Sequence, residues 1–360
     1  MIEATGPLKG LKILDLTRVL AGPTCTQLLA DLGADVIKVE NPKGGDDSRK
    51  FGPPYITDEN GDETSESAYF LACNRNKRSI TLDLRNPKGA KIVKQLLKNC
   101  DAIVHNFKVG GLEKYGLGYE DIKDEFPGLV YCAISGYGQT GPYKDRGGYD
   151  MQAQGMAGIM AITGEADGQP MKVGIGIADM MCGMYAAPAI LAALRHRDTT
   201  GDGQFIDLAL LDTTVAWLNY VGLSYLTSGE PSARYGNGHP NIVPWEVFPS
   251  KDGHFILTIG NDGQFKAFCE FAENSELVEN DDFATNAHRV RNREVLVPML
   301  REITRQHPSK YWLENLPGLG VVASPAYTVP EVFEDPQVLA RGMKHEMEHP
   351  KSGTGKCTLI

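Results

Sequence analysis

Short apolar, β-branched runs alternate with longer amphipathic stretches along the first half of the chain, the pattern of parallel strands joined by helical crossovers. Leu11–Leu16 (LKILDL) reads as a strand, Ala21-Gly22-Pro23 as a turn, and Thr24–Leu32 as a helix closed by Gly33. Asp35–Val39 is the second strand, and the unit recurs in Ser79–Leu84, in a helix entered through Asn86-Pro87, and in Ala102–Val104. Pro87 suits the first helical turn, where its missing N–H has no partner to lose. A further strand, Leu129–Ile134, leads into the loop Ser135-Gly136-Tyr137-Gly138. The pattern predicts an α/β fold.

Small residues are dense from Gly155 to Ile177 and end in Val173-Gly174-Ile175-Gly176-Ile177-Ala178-Asp179, a texture that lets backbone approach something closely. Met180–Arg195 then reads as a largely apolar helix, and Gly201-Asp202-Gly203-Gln204 turns into the strand Phe205–Leu210. After Tyr225 the texture changes to a Gly- and Pro-bearing loop, a strand at His254–Ile259 and charged helices. The expected organisation is a large domain over 1–225, a smaller α/β domain over 226–328, and a segment over 329–360 that returns towards the large domain.

With 360 residues the chain is long enough to bury a substantial core. Its formal charge of −10 argues against a nucleic-acid partner, which needs a basic field over the contact surface. No apolar run is expected to cross a membrane, and Met1-Ile2-Glu3-Ala4 lacks the basic start and apolar core of a signal peptide. The expected compartment is the cytoplasm, with the mitochondrial matrix as the alternative in a eukaryote. Seven scattered cysteines with no Cys-x-x-Cys pair read as reduced thiols.

Among candidate reactive groups, Asp179 stands where a Gly-rich turn meets an apolar helix. A helix N-terminus offers free N–H groups and partial positive charge, which would keep a carboxylate ionised and steady a nearby oxyanion. Such a carboxylate could attack a thioester, although a plain helix cap is the more ordinary role for an Asp at this position. Gly174 and Gly176 give only G-x-G-x-x-D, late in the chain, so they do not make a dinucleotide fingerprint. Metal-ligand spacings and phosphate-loop motifs are missing from the sequence. The basic residues Arg18, Lys77, Arg78, Lys108 and Lys114, with Arg75, flank predicted strands and together suit a ligand with several phosphates.

These segments together resemble the class III CoA-transferases. The likeness is carried by Leu14-Asp15-Leu16-Thr17-Arg18-Val19-Leu20-Ala21-Gly22-Pro23, by Leu32-Gly33-Ala34-Asp35-Val36-Ile37-Lys38-Val39-Glu40 and by Asn76-Lys77-Arg78-Ser79-Ile80. Further along, Ser135-Gly136-Tyr137-Gly138-Gln139-Thr140-Gly141-Pro142 and Thr200-Gly201-Asp202-Gly203-Gln204 continue it. Gly236-Asn237-Gly238-His239-Pro240, Gly260-Asn261-Asp262-Gly263-Gln264-Phe265 and Asp335-Pro336-Gln337-Val338 are similar to the branch that uses dicarboxylates, as in succinyl-CoA:glutarate CoA-transferases.

The resemblance implies a Rossmann-like large domain, a smaller α/β domain and an interlocked homodimer. It makes Asp179 the nucleophile that passes through an acyl–aspartyl anhydride to an aspartyl-CoA thioester. Coenzyme A would be contacted by Arg18, Val19, Ala21, Lys77, Arg78, Gly111 and Lys114, and the substrate pocket would include Tyr149, Gly236, Gly238 and His239. The substrates implied are an acyl-CoA, with succinyl-CoA as donor, and a free dicarboxylic acid; no permanently bound cofactor, metal, nucleic acid or membrane is expected.

Three rivals follow. The α-methylacyl-CoA racemases of the same family carry a His where this chain has Tyr149, and a tyrosine, with an ordinary pKa near 10, is a poor base at neutral pH. A catalytically silent acyl-CoA-binding homologue is the second, and a nicotinamide dehydrogenase the third. The dehydrogenase lacks its Gly fingerprint after the first strand. The resemblance also leads one to expect further chain beyond Cys357-Thr358-Leu359-Ile360.

Overall fold

The computed structural model describes residues 5–360, which divide into two compact units. The first gathers the chain up to Ala161, Lys172–Ser232 and Lys344–Ile360; the second holds Ile162–Met171 and Ala233–Met343. The smaller domain expected over 226–328 therefore lies mostly in a unit that begins at Ala233, runs on to Met343 and takes in an earlier segment. Main-chain bonding explains that inclusion: Gly236 N–H donates to the Gly164 carbonyl at 3.2 Å.

Six parallel strands form the sheet of the first unit: β1 (Lys12–Leu16), β2 (Asp35–Glu40), β3 (Lys77–Thr81), β4 (Ala102–His105), β5 (Val130–Ser135) and β6 (Phe205–Ala209). Their order is β3-β2-β1-β4-β5-β6, the doubly wound arrangement of dinucleotide-binding folds. Its direction of travel reverses between β1 and β4. Helices α1 (Ala21–Asp31), α2 (Pro87–Leu97), α3 (Asp150–Met156), α4 (Ile177–Thr200), α5 (Leu210–Ala216) and α6 (Asn219–Ser228) connect and follow the strands.

One side of the sheet packs on α1 and α4 through Ile13, Cys25, Leu29, Val104, Cys132, Cys182 and Ile190. The other side is closed by Leu14, Leu16, Val93, Ile103 and Tyr131. By length and composition α4 could cross a membrane, but it serves here as the core helix against α1, which it meets through Cys182, Ala186 and Ile190. The sequence pattern had marked Met180–Arg195 as a largely apolar helix without expecting a run long enough to cross a membrane.

The helix begins earlier than its apolar texture suggests, at Ile177 rather than Met180, and Asp179 therefore sits inside the first turn. In the second unit, an antiparallel sheet of β7 (Trp245–Pro249), β8 (His254–Thr258) and β9 (Val322–Pro325) packs on α7 (Asp262–Phe271) and α8 (Arg293–Thr304). Phe248, Phe255, Phe268, Leu300 and Trp312 fill its core.

Candidate active site

In an open parallel sheet a ligand binds outside the carboxyl ends of the strands, where the order reverses. Here that crevice is framed by the loops after β1 and β4, which are tied to each other. Arg18 N–H donates to Asn106 Oδ1 at 2.9 Å, and Asn106 Nδ2 returns a bond to the Arg18 carbonyl at 2.6 Å. Two cavities meet at this tie. One, of about 160 Å³, is lined by Arg18, Val19, Ala21, Lys108, Tyr149 and Asp179, among others. The other, of about 220 Å³, opens among Leu16, Asp46, Leu82, Leu84, Arg85 and Tyr115. Arg18 and Phe107 belong to both walls, with the guanidinium 5.6 Å from the ring centroid.

Asp179 is held by a second carboxylate. Asp150, the first residue of α3, accepts the main-chain N–H of Ala178 at 2.8 Å and that of Asp179 at 3.3 Å through Oδ1. Its Oδ2 accepts Gln154 Nε2 at 2.6 Å, and the Gln154 oxygen takes the Val173 N–H at 2.9 Å. Gln154 is fully buried, so this chain of bonds clamps the Gly-rich segment onto α3. Gly176 sits close under Leu20 at the turn, where a Cβ would lie 2.8 Å from Leu20 Cδ2 and the leucine tip would have to shift.

The positive end of α4 is thus occupied by Asp150, and it does not keep the Asp179 side chain acidic. Burial first, and then the Asp150 charge, push the Asp179 carboxyl up to about 7. The expectation of a helix end that holds Asp179 ionised is corrected on this point: the orphan N–H groups have another acceptor. A shift of this kind in a cleft is characteristic of reacting groups.

Beneath the crevice lies a buried ionic layer. Lys77 is 1% exposed at its side chain and donates to Asp15 at 3.1 Å, to the Pro23 carbonyl at 2.9 Å and to Asn74 Oδ1 at 3.0 Å. All three of its ammonium protons are used, which leaves none for a ligand phosphate. Burial would raise the Asp15 carboxyl, but the Lys77 and Lys38 ammoniums with the Thr17 and Thr26 hydroxyls outweigh it and hold it at about 2. Lys38 in turn pairs with Asp46 at 2.9 Å, and Asp46 Oδ1 accepts the Val19 N–H at 3.1 Å. Val19 adopts φ 72°, which a β-branched residue rarely visits, so this anchor holds a strained loop at the cavity wall.

The other expected contacts divide. Arg18, Val19, Ala21, Tyr149 and Asp179 come together around one cavity. Arg78 instead turns towards the amino-terminal end of the sheet, where it grips Asp35 at 2.7 Å, away from the crevice. Gly111 closes the turn after Phe107, because a Cβ would lie 2.6 Å from the Lys108 carbonyl; Lys114 is exposed in the short helical turn that follows. Gly236, Gly238 and His239 line a cavity of about 440 Å³ in the second unit, with Trp245, Glu246 and Arg293. Sequence reasoning missed Asn106, Asp150, Gln154, Lys144 and Arg146. Tyr69 was also missed: its phenol is raised to about 12 by burial and then by the charge of Asp179.

Comparison with known proteins agrees with this architecture. A family model described as CoA-transferase family III matches residues 8–359. The succinate–glutarate CoA-transferase of Agrobacterium fabrum is 47% identical over 95% of this chain and 85% of its own. The human succinyl-CoA:glutarate CoA-transferase is 45% identical over 96% of this chain and 78% of its own. A CAIB/BAIF family protein from Brucella suis superposes with a TM-score of 0.85 at 47% identity, covering 99% of this chain and 91% of that one. The six-stranded fold, the crevice at its reversal and these matches converge: the chain belongs to CoA-transferase family III, and it is a CoA-transferase whose substrates are CoA thioesters.

Proposed function

We propose that this CoA-transferase moves CoA from succinyl-CoA to glutarate or a dicarboxylate of similar length, with Asp179 as the nucleophile. The observation that carries the reading is the place of Asp179, in the first turn of α4 and in the wall of the cavity at the β1/β4 reversal. An Asp179 oxygen attacks the thioester carbonyl and expels CoA thiolate, which gives an acyl–aspartyl anhydride. The thiolate then adds to the aspartyl carbonyl and releases succinate, so that CoA rests on Asp179 as a thioester. Glutarate runs the same two steps in reverse. One thioester is exchanged for another, and no external energy source is required.

The paired cavities suit an elongated ligand lying across the sheet edge, with its acyl end beside Asp179 and its nucleotide end beyond Arg18 and Phe107. Tyr149 in the same wall supports transfer over racemisation, since a phenol stands where the racemases of the family carry an imidazole base. The names of the relatives supply the acid pair. A second copy of the chain is proposed to cover the apolar side chains left open on α4 and α6, Met184, Tyr185, Leu223 and Leu226 among them.

The test combines product identity with trapping. Incubation of succinyl-CoA with glutarate should give glutaryl-CoA by mass spectrometry, and hydroxylamine added during turnover should leave a hydroxamate on Asp179. Asp179→Asn should abolish both. Adducts confined to other residues, or full turnover by Asp179→Asn, would remove Asp179 from the role.

A further inference from the structure

The wall of the Asp179 cavity carries cations that no described acidic side chain pairs with. Arg18 is spoken for by Asp47 at 2.9 Å, but among the described residues Lys108, Lys144 and Arg146 form no ion pair, although all three line the cavity. Arg146, of the three, packs on an aromatic ring. Its guanidinium lies 4.0 Å from the centroid of the Tyr143 ring, and Tyr143 packs edge-on against Tyr137 at 5.8 Å. The Arg146 N–H also closes a turn onto the Tyr143 carbonyl at 2.9 Å.

The backbone behind it is packed without slack. A Cβ on Gly148 would lie 3.2 Å from the Tyr137 ring, and one on Gly136 would lie 2.7 Å from the Gly148 Cα. A Cβ on Gly147 would meet the Lys108 ammonium at 3.4 Å, so Lys108 lies over the residue next to Arg146. Four residues past Arg146 comes Asp150, which accepts the Asp179 N–H. Arg146 and Asp179 line the same cavity, which puts Arg146 at the reacting end of the crevice. The other cavity, lined by Glu40, Asp46, Asp47, Asp83 and Arg85, lies beyond the Arg18–Phe107 partition.

From this arrangement we infer that Arg146, seconded by Lys108, binds the distal carboxylate of the dicarboxylic acid and so sets the enzyme's preference for dicarboxylates. The inference rests on the proposed transfer between dicarboxylates and adds the residue that selects them. A planar guanidinium stacked on an aromatic face keeps its fork free for two parallel bonds to a carboxylate. The acyl donor and the acceptor acid occupy one place in alternate half-reactions, so the same cation serves succinyl-CoA and glutarate. A monocarboxylic acid leaves it solvated and gains nothing from it.

The experiment compares acids and thioesters that differ only in the second carboxylate. With succinyl-CoA as donor, wild-type enzyme should prefer glutarate to butyrate as acceptor. In Arg146→Gln the ratio of kcat/KM for glutarate to that for butyrate should fall about tenfold or more, the loss of one charge-assisted bidentate contact. KM for succinyl-CoA should rise more than KM for butyryl-CoA. Arg146→Lys should recover part of the ratio, and Tyr143→Leu, which frees the guanidinium without removing it, should fall between. A wild-type preference that survives undiminished in Arg146→Gln overturns the inference alone. An equal rise of KM for butyryl-CoA and succinyl-CoA also overturns it, since the guanidinium would then be serving a CoA phosphate. Wild-type enzyme that uses butyrate as readily as glutarate overturns both this inference and the dicarboxylate reading beneath it.

Discussion

The main-chain N–H of Asp179 points at Oδ1 of Asp150, 3.3 Å away, so the nucleophile we propose is positioned by a carboxylate of like charge. The arrangement fixes the turn and at the same time makes ionisation of Asp179 harder, after burial the largest influence on it. A nucleophile must be ionised, and a carboxyl at about 7 is half protonated at neutral pH. The acid limb of kcat/KM should therefore fall about tenfold per pH unit below that value, as for any single ionisation. Asp150→Asn keeps an acceptor for both N–H groups but removes the charge, so the limb should move to lower pH. A pH–rate profile that stays in place, or moves upwards, would contradict the electrostatic role of Asp150.

The same shift has a consequence for stability. A carboxyl whose folded pKa lies above its unfolded value of 3.8 favours the folded state only when protonated. Its contribution is fully present below 3.8 and is lost as pH rises through about 7. Asp179→Asn removes that loss and should stabilise the protein by on the order of 1–3 kcal/mol at pH 8, with little gain at pH 4. Urea unfolding of both proteins at the two pH values checks it; an equal effect at both would show that packing, not charge, is responsible.

Lys77 acts from below the site. Removing one partner of a buried ion pair strands the other, which costs about 3–5 kcal/mol, so Lys77→Met should unfold at markedly lower urea than wild type. Asp15 is the stranded group, held at about 2 in the intact protein, and its contribution is lost as pH falls from 3.8 towards that value. What folded enzyme remains should bind CoA almost normally. A large rise in KM for acyl-CoA with unchanged stability would return Lys77 to the ligand.

Much of the parallel sheet was legible because its strands are short apolar runs between helical periods, and Pro87 and Gly33 mark their borders plainly. Asp179 was legible too, as a carboxylate where a glycine-rich turn meets an apolar helix. The fate of Lys77 was not. A lysine that opens an edge strand looks solvated in sequence, and only the inward Asp15 of β1, four strand positions along in a run buried on both sides, shows why it turns in. Asp150 and Gln154 were hidden for a similar reason. Their partners, Ala178 and Val173, lie 28 and 19 residues away, and a bond to a main-chain N–H leaves no trace in residue type at the far end. The segment Ile162–Met171 carries no signal that it joins the second unit, because its ties to Gly236 and to Arg234 are carbonyl bonds.

Gly183 offers the cleanest separation of packing from chemistry. It lies one helical turn after Asp179 on the same face of α4, where α4 crosses the start of α1. A Cβ there would come to 2.4 Å from the Ala21 carbonyl oxygen, 2.9 Å from Thr24 Cβ and 3.1 Å from the Cys25 nitrogen. Two of these are main-chain atoms of a helix, so the methyl cannot be accommodated by a rotamer change and the helices must part. Ala21 and Asp179 both line the cavity, and any separation there widens the gap between the start of α1 and the proposed nucleophile. Overpacking of this kind costs about 1–3 kcal/mol, and displacement of a reacting group by a fraction of its contact distance costs rate as well. Gly183→Ala should thus lower both the unfolding midpoint and kcat/KM. Gly174→Ala is the control, since a Cβ at that position meets nothing within 4 Å, and it should change the midpoint little. Matching losses in the two variants would mean that the close approach of α1 and α4 does not govern the geometry of the site.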